Sequence, residues 1–449
     1  MLHDGYGKRK YSGGDQLRAT IGNKELQVSA PCIVIDNRDG TQTVVCEALW
    51  SGTSTISVTL AYPRETITAH YRIKTQVLAT IHTYGRFKSR SYSEESICHP
   101  NHSYLLKHTH NTELCNITYM NSGMPFYCGK PKDKHLLCQD FQFTGSSKPF
   151  PELKVSKCEE TLLERAQLIL KKTIAIDVQK RKKDNNVSFI DKPSITCSMY
   201  NSSSLWRSRK PTGFFINGTW HLRHCLGFKE NLYTACLRNA HLYLFGDSTT
   251  RAWYKTIIER FKCKPITEEW HKEKWHKEAE CYNKHINFKA GWYPHAQPFL
   301  FGNIFEDVRY TLYSTSRRID NIPRDERAII VIHLFVHFLV FHHTVFKQRM
   351  QIIRKSVESI LENNKKSIVM IKGPHTFDGT RFGGYRFCDY FGYLYSKILF
   401  EVFEGLHERV VILNNRDTTI AQPLKGDHHP PRNIVDAMVD QMLSYACGH

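Results

Sequence analysis

The residues with the clearest chemical potential form one short stretch, residues 246–251, which read Gly-Asp-Ser-Thr-Thr-Arg. The apolar run at 242–245 predicts a buried strand before it, and apolar spacing over 249–261 predicts a helix after it. Ser248 would then stand at a strand-to-helix turn, which points a hydroxyl outward and leaves backbone N–H groups beside it. An acyl-transfer nucleophile needs this geometry. The alternative is that Asp247 and Ser248 only cap the helix.

A serine nucleophile also needs a base, which is usually histidine and in α/β folds tends to come from a loop late in the chain. His428 and His429 stand in such a place, directly before Pro430. The apolar segment 410–413 before them predicts a strand, and the amphipathic segment 433–445 after them predicts a helix. The two stretches together indicate serine–histidine chemistry.

At these positions the sequence resembles the neurexophilin and PC-esterase domain family. The C-terminal half shares the Gly-Asp-Ser-x-x-Arg turn, the late His-Pro and a closing segment at 442–447. The resemblance implies a fold related to the SGNH hydrolases, with Ser248 as the nucleophile. It also implies His429 rather than His428 as the base, because the family's late His-Pro falls on His429 and Pro430.

The acid that would orient this base is less well defined. SGNH enzymes usually carry an aspartate three residues before the histidine, where this chain has Gly426. Asp427 is the first choice and Asp417 the second. A serine–histidine dyad whose imidazole is oriented by a backbone carbonyl would also function.

Three further residues are candidates for the oxyanion hole or for substrate contacts: Gly246, His337 and Arg251. His337 resembles the family's histidine after the central strand, where hydrolase relatives carry asparagine. It is a candidate donor or substrate contact, and a plain core histidine is an equally compatible interpretation. Arg251, one helical turn past Ser248, could anchor an anionic substrate or form an ion pair within the fold. No cofactor-binding residues can be assigned.

The elements that must position these residues alternate along the C-terminal half. Strands are predicted at 328–335 and 367–372, and helices at 345–362 and 391–406. Such alternation predicts a doubly wound α/β domain with parallel strands and right-handed crossovers. Sites in such sheets lie at the carboxyl ends of the strands, where Ser248 and the late loop would meet.

The N-terminal part has a different pattern. Short alternating segments at 33–35, 43–46 and 57–62 predict a hairpin and a further strand of a β-sandwich. This part resembles the immunoglobulin-like or filamin-like neurexophilin domain. The predicted organisation is therefore a sandwich over 1–90, a cysteine-rich connector over 91–204 and a PC-esterase domain over 205–449. Within the connector, residues 159–183 predict a helix.

Cysteines and sequons both indicate the secretory route. Fourteen cysteines without a C-x-x-C pair favour disulfides over a metal site, and Cys32 and Cys46, which flank the hairpin, are candidates for one bridge. Five further cysteines are close enough to staple the connector: Cys98, Cys115, Cys128, Cys138 and Cys158. Five N-x-S/T sequons are candidate glycosylation sites: Asn101, Asn116, Asn186, Asn201 and Asn217. We expect a secreted or Golgi-lumenal protein.

The chain start, residues 1–5, has neither a basic nor an apolar leader region, so we expect the leader or signal anchor to be absent from this chain. No stretch predicts a membrane span.

The balance of charge indicates an anionic partner. Lysine and arginine exceed the acids by nineteen. Because no zinc-finger spacing, helix-turn-helix signal or RNP motif accompanies this charge, we expect no nucleic-acid partner. An acidic glycan or an anionic acetyl donor accounts for it instead.

Some members of the family are associated with O-acetylation of sialic acid on mucin-type glycans. The resemblance therefore implies a glycan O-acetyltransferase working through an acyl-serine, with acetyl-CoA as a candidate donor and no tightly bound cofactor. An O-acetyl esterase is the first alternative. The second is a catalytically inactive secreted protein that binds a cell-surface receptor through the β-sandwich, as neurexophilins do. Gly426 is a departure that an inactive relative would tolerate.

Overall fold

The structure is a computed structural model, and it describes the following residues: 1–109, 112–146, 155–164, 167–169, 173–179, 193–227, 232–267, 276–302, 304–309, 313–378, 387–424 and 428–447. The strands are β1 (Gln16–Asn23), β2 (Val28–Pro31), β3 (Ile33–Asp36), β4 (Gln42–Val45), β5 (Gly52–Tyr62), β6 (Thr83–Ser89), β7 (Tyr92–His99), β8 (Leu114–Asn116), β9 (Tyr127–Gly129), β10 (Phe141–Ser146), β11 (Leu168–Ile169), β12 (Ile174–Val178), β13 (Gly213–Ile216), β14 (Thr219–Leu222), β15 (Ala240–Gly246), β16 (Lys264–Pro265), β17 (Ala279–Asn283), β18 (Phe288–Pro294), β19 (Glu306–Asp307), β20 (Arg327–Ile332), β21 (Ile368–Lys372) and β22 (Val410–Leu413). The helices are α1 (Arg64–Gln76), α2 (His102–His108), α3 (Lys157–Leu163), α4 (Ser202–Arg207), α5 (Tyr233–Cys236), α6 (Ser248–Arg260), α7 (Thr315–Asp320), α8 (His343–Asn363), α9 (Phe391–Val402), α10 (Asn415–Ala421) and α11 (Arg432–Ala446).

The sheet that carries the candidate site has the strand order β16-β17-β18-β15-β20-β21-β22. Strands β18, β15, β20, β21 and β22 run parallel, and β15 lies between β18 and β20. Its central strands are buried on both faces, which explains their continuous apolar runs. The strands predicted at 242–245, 328–335, 367–372 and 410–413 correspond to β15, β20, β21 and β22. The chain is therefore a mixed α/β protein with several sheets.

Two antiparallel sheets and a hairpin account for the other strands. One sheet has the order β11-β5-β1-β2-β13-β14 with β12 also on β5, and the second has the order β19-β10-β6-β7-β9-β8. The predicted hairpin is present as β3 paired with β4. The first of these sheets contains strands from all three segments predicted from the sequence. Strands β11 and β12 of the connector pair with β5, and β13 of the C-terminal segment pairs with β2. The sandwich arrangement and the segment boundaries stay predictions.

The helix predicted at 159–183 is confirmed over 159–163 and wrong over 168–169 and 174–178, which are strands. Helix α3 ends at Leu163, and β11 and β12 follow it, both paired antiparallel with β5. The segment Ile174–Val178 alternates β-branched residues, which favour a strand once a partner strand is available. Strand β5 supplies that partner through long-range contacts that local helical spacing does not report. Residues 180–183 lie outside the described ranges.

Six disulfides connect described residues: Cys32–Cys46, Cys98–Cys128, Cys115–Cys138, Cys197–Cys225, Cys236–Cys447 and Cys263–Cys281. The bridge across the hairpin is confirmed. Cys158, which was expected to staple the connector, remains a thiol, as does the buried Cys388. Such a set of bridges is typical of a secreted or lumenal protein. Within the described ranges, no helix combines the length and the apolar character that crossing a bilayer requires.

Candidate active site

The turn between β15 and α6 places Ser248 at the first position of the helix. Asp247 caps the helix, because its side chain accepts a hydrogen bond from the backbone N–H of Thr249 at 2.9 Å. A Cβ atom on Gly246 would lie 2.3 Å from the carbonyl oxygen of His333, so only glycine fits this close approach to the end of β20. The N–H of Ser248 has no acceptor within its helix and is available at the turn.

Ser248 and His429 lie together although 181 residues separate them. The Oγ atom of Ser248 is 2.8 Å from Nε2 of His429. Ser248 is half-buried and His429 is exposed, so a substrate can reach both. A base at this distance can take the hydroxyl proton as the oxygen attacks a carbonyl carbon. The structure thus brings the predicted nucleophile and the predicted base into hydrogen-bond contact.

His428 has different contacts. Its carbonyl oxygen accepts a hydrogen bond from Nε2 of His375 at 2.7 Å. Its ring stacks on Phe387 at 5.8 Å between centroids and meets the edge of Phe377 at 6.0 Å. These contacts fix the backbone immediately before His429.

Only one of the two candidate acids lies on the residues that the structure describes. Asp427 lies outside the described residues. Oδ2 of Asp417 accepts hydrogen bonds from the backbone N–H and the hydroxyl of Thr212, at 2.7 and 2.9 Å, and from Asn414 at 3.1 Å. Asp417 therefore links α10 to the segment before β13. The role of Asp417 as the orienting acid stays a prediction.

The carboxylate of Asp247 is completely buried and ties the turn to the neighbouring strand end. Its Oδ2 atom accepts a hydrogen bond from the backbone N–H of Val336 at 3.2 Å and lies 4.0 Å from Nε2 of His333. Burial raises the pKa of this carboxyl, but attraction to His333, His337 and Lys372 outweighs it and keeps the pKa below its usual range. An ionised Asp247 therefore holds the nucleophile turn against the end of β20.

A buried lysine, which was not among the predicted site residues, contacts the same turn. Nζ of Lys372 donates to Oγ1 of Thr249 at 3.2 Å and to Nε2 of His333 at 3.0 Å. Burial lowers the pKa of Lys372 to about 7, and Asp247 opposes that shift. Lys372 is the last residue of β21, His375 lies just past it, and His333 follows the last residue of β20. Polar residues at that position were the signal that could have revealed them.

His337 lies in the turn after β20 and is paired with a second histidine. Its Nδ1 atom is 2.9 Å from Nε2 of His295, which follows β18, and both rings are buried. His295 was also missed, because the strand before it was not predicted.

Arg251 packs its guanidinium over the ring of Trp292 at 5.5 Å, and burial lowers the pKa of Arg251. Trp292 in turn donates to the backbone oxygen of Asp247 at 3.2 Å.

Four of the five sequon asparagines lie on described residues. Asn116, Asn201 and Asn217 are exposed, Asn101 is half-buried, and Asn186 lies outside the described ranges. Asn101 and Asn201 cap α2 and α4 through their side-chain oxygens. Among the side chains that the structure describes, no three His, Cys, Asp or Glu residues form a group that could hold a metal ion.

Two family models match the chain. A neurexophilin model matches residues 1–148. A model described as NXPE family member 4-like, C-terminal domain, matches residues 220–447, just over half of the chain, and this match includes the turn at Ser248 and the loop of His429. The chain therefore belongs to the NXPE family.

Proposed function

We propose that this protein is a glycan O-acetyltransferase of the secretory pathway, which acetylates sialic acid on mucin-type glycans through an acetyl-Ser248 intermediate. The observation that carries the proposal is the 2.8 Å contact between Oγ of Ser248 and Nε2 of His429 at a partly exposed sheet edge. Membership of a family with glycan-modifying members supports the choice of substrate.

The reaction proceeds in two balanced steps. In the first, Oγ of Ser248 attacks the carbonyl carbon of the acetyl thioester while His429 takes the hydroxyl proton. The carbon–sulfur bond breaks, and the thiolate of coenzyme A leaves with that proton. In the second, a sugar hydroxyl attacks acetyl-Ser248, gives its proton to His429 and leaves as the acetyl ester, and Ser248 regains the proton. The N–H of Ser248 stabilises the oxyanion in both steps.

The charge of the chain suits both reactants. A net charge of +19 attracts a sialylated acceptor and a phosphate-bearing acetyl donor. Acetyl-CoA is the donor that we propose.

Two other functions remain as candidates. Because water can replace the sugar hydroxyl in the second step, the same site would serve an O-acetyl esterase. The neurexophilin match over residues 1–148 favours a receptor-binding role for the N-terminal part. If Ser248 were inert, the protein would have this role without an enzymatic one.

The test is to express the chain behind a secretory leader, so that its disulfides form, and to incubate it with acetyl-CoA and sialylated mucin glycans. Mass spectrometry would read an acetyl gain on the glycan. Ser248→Ala should abolish this gain, whereas Ser93→Ala, at an exposed position on β7, should not. Acetyl loss from pre-acetylated glycans, without any gain, would identify an esterase. The absence of both acetyl gain and acetyl loss would overturn the enzymatic proposal and favour receptor binding.

A further inference from the structure

The pair His295 and His337 lies at the ends of the two strands that flank the turn of the candidate nucleophile. His295 follows β18 and His337 follows β20, and these two strands flank β15, which ends at Gly246. The residue before His337, Val336, donates its backbone N–H to Asp247 at 3.2 Å. The pair is thus fixed to the same turn that presents Ser248.

The positions of the protons on the two rings follow from their contacts. Nδ1 of His295 is 2.8 Å from the carbonyl oxygen of Ala296, which can only accept, so this nitrogen carries a hydrogen. Burial lowers the pKa of His295 to about 4, so the ring is neutral at physiological pH and its Nε2 atom is an acceptor. The 2.9 Å contact to His337 therefore requires Nδ1 of His337 to donate.

His337 is left with a lone pair on its other nitrogen. Burial lowers its pKa well below the usual value and the neighbouring His295 adds to the shift, so the ring carries only the hydrogen on Nδ1. Its Nε2 atom makes no hydrogen bond to any described residue. This Nε2 atom is not completely buried: 6% of the residue is exposed, and the atom is accessible to solvent.

A lone pair at this place suits one reactant and not the other. It cannot donate to an oxyanion, and close to one it would be repulsive. The acetyl thioester offers no O–H or N–H group at its reacting end, whereas a sugar carries several hydroxyls. An acceptor atom at this edge of the sheet therefore selects for the sugar.

We infer that Nε2 of His337 accepts a hydrogen bond from a hydroxyl of the glycan that receives the acetyl group. This inference rests on the proposed function. It assigns His337 to binding and orienting the glycan, and leaves oxyanion stabilisation to backbone N–H groups at the Ser248 turn.

Two substitutions distinguish binding of the glycan hydroxyl from donation of a hydrogen bond to the oxyanion. In His337→Asn the amide lies where Nδ1 was and can keep the bond to His295, but nothing occupies the position of Nε2. In His337→Gln the longer side chain returns a polar oxygen to about that position. His285→Asn, at an exposed histidine whose described hydrogen bonds use only its backbone, is the control.

Two half-reactions are measured, with thermal unfolding to check that each variant folds. Formation of acetyl-Ser248 from acetyl-CoA is followed by mass spectrometry of the intact protein, and transfer to a sialylated glycan is followed at varied glycan concentration. We expect His337→Asn to form acetyl-Ser248 within about twofold of the wild-type rate, with the KM for glycan raised about tenfold, as the loss of one hydrogen bond predicts. His337→Gln should recover part of that loss. An equal slowing of acetyl-Ser248 formation would overturn the inference and identify a donor role.

Glycan binding without acetyl-CoA distinguishes failure of the inference from failure of the proposed function. If the wild type binds the glycan but never forms acetyl-Ser248, and His337→Asn weakens that binding, the proposed function fails, although the contact of His337 with a glycan hydroxyl is supported. If acetyl-Ser248 forms and neither variant changes glycan use, the inference alone fails. If the wild type neither binds the glycan nor becomes acetylated, both fail.

Discussion

Arg18 on β1 forms a buried ion pair with Asp389, at 2.5 Å between Nη2 and Oδ2, across 371 residues of chain. The same Oδ2 atom accepts the backbone N–H of Phe377 at 3.2 Å, and Tyr62 donates to Oδ1 at 2.7 Å. The ring of Phe377 meets the edge of His428. An antiparallel sheet that lacks the candidate catalytic pair thus supports the backbone that carries His429.

Removal of the arginine charge should therefore destabilise the fold and impair the site. We expect Arg18→Met to lower the free energy of unfolding by about 3–5 kcal/mol, because it leaves Asp389 buried without its cation. The exposed pair of Lys130 and Glu113 gives a control: Lys130→Met should cost less than about 1 kcal/mol. Urea denaturation measures both. Equal effects of the two substitutions would show that the buried pair has no special role.

The second prediction concerns the close approach at the nucleophile turn. In Gly246→Ala the new methyl group would lie 2.3 Å from the carbonyl oxygen of His333 and 2.8 Å from Oγ1 of Thr250. Because a backbone atom cannot move as a side-chain end can, the turn must shift, at a cost of roughly 1–3 kcal/mol or more. A shift of about 1 Å in Ser248 would lower the transfer rate roughly a hundredfold. Gly5→Ala, with no atom within 4 Å of the added carbon, is the control. Wild-type rates in Gly246→Ala would contradict this account.

The third prediction follows from the pKa of Lys372, which burial lowers to about 7. Below pH 7 the lysine is charged in both the folded and the unfolded chain. Between about pH 7 and the pKa near 10 that Lys372 has in the unfolded chain, only the unfolded chain binds the proton. The contribution of Lys372 to stability therefore rises with pH. The difference in unfolding free energy between wild type and Lys372→Met should therefore increase across this window, by up to about 1.4 kcal/mol for each pH unit.

Chemical denaturation at pH 7, 8 and 9 measures this difference. Subtraction of the variant removes contributions from other titrating groups, including the buried Lys74, whose pKa burial also lowers to about 7. Lys284→Met, at an exposed position, controls for the change in net charge. A difference that stays flat or falls with pH would show that Lys372 is not held neutral in the folded protein.

Local patterns predicted the elements around Ser248 because strand and helix periodicity are properties of neighbouring residues. Strand β22 has the predicted bounds, and α11 differs from its predicted range by one residue at each end. The contacts that organise the site are long-range and left no local signal. His295 meets His337 only because β18 pairs with β15, and Arg18 meets Asp389 only in the folded chain. The error at 168–169 and 174–178 has the same origin, since both segments pair with β5, which is distant in sequence.

The last prediction tests whether Ser248 and His429 act as one unit. If His429 removes the proton of Ser248, each is ineffective without the other, so their substitutions should not add. We expect Ser248→Ala and His429→Ala each to lower the initial rate of acetyl transfer by roughly a hundredfold to ten-thousandfold. The double variant should be no slower than the slower single variant. His285→Ala should keep the wild-type rate, because that histidine is exposed and its described hydrogen bonds are through its backbone. A double variant whose loss equals the product of the single losses would mean that the two side chains act independently, and the 2.8 Å contact would then have no part in the chemistry.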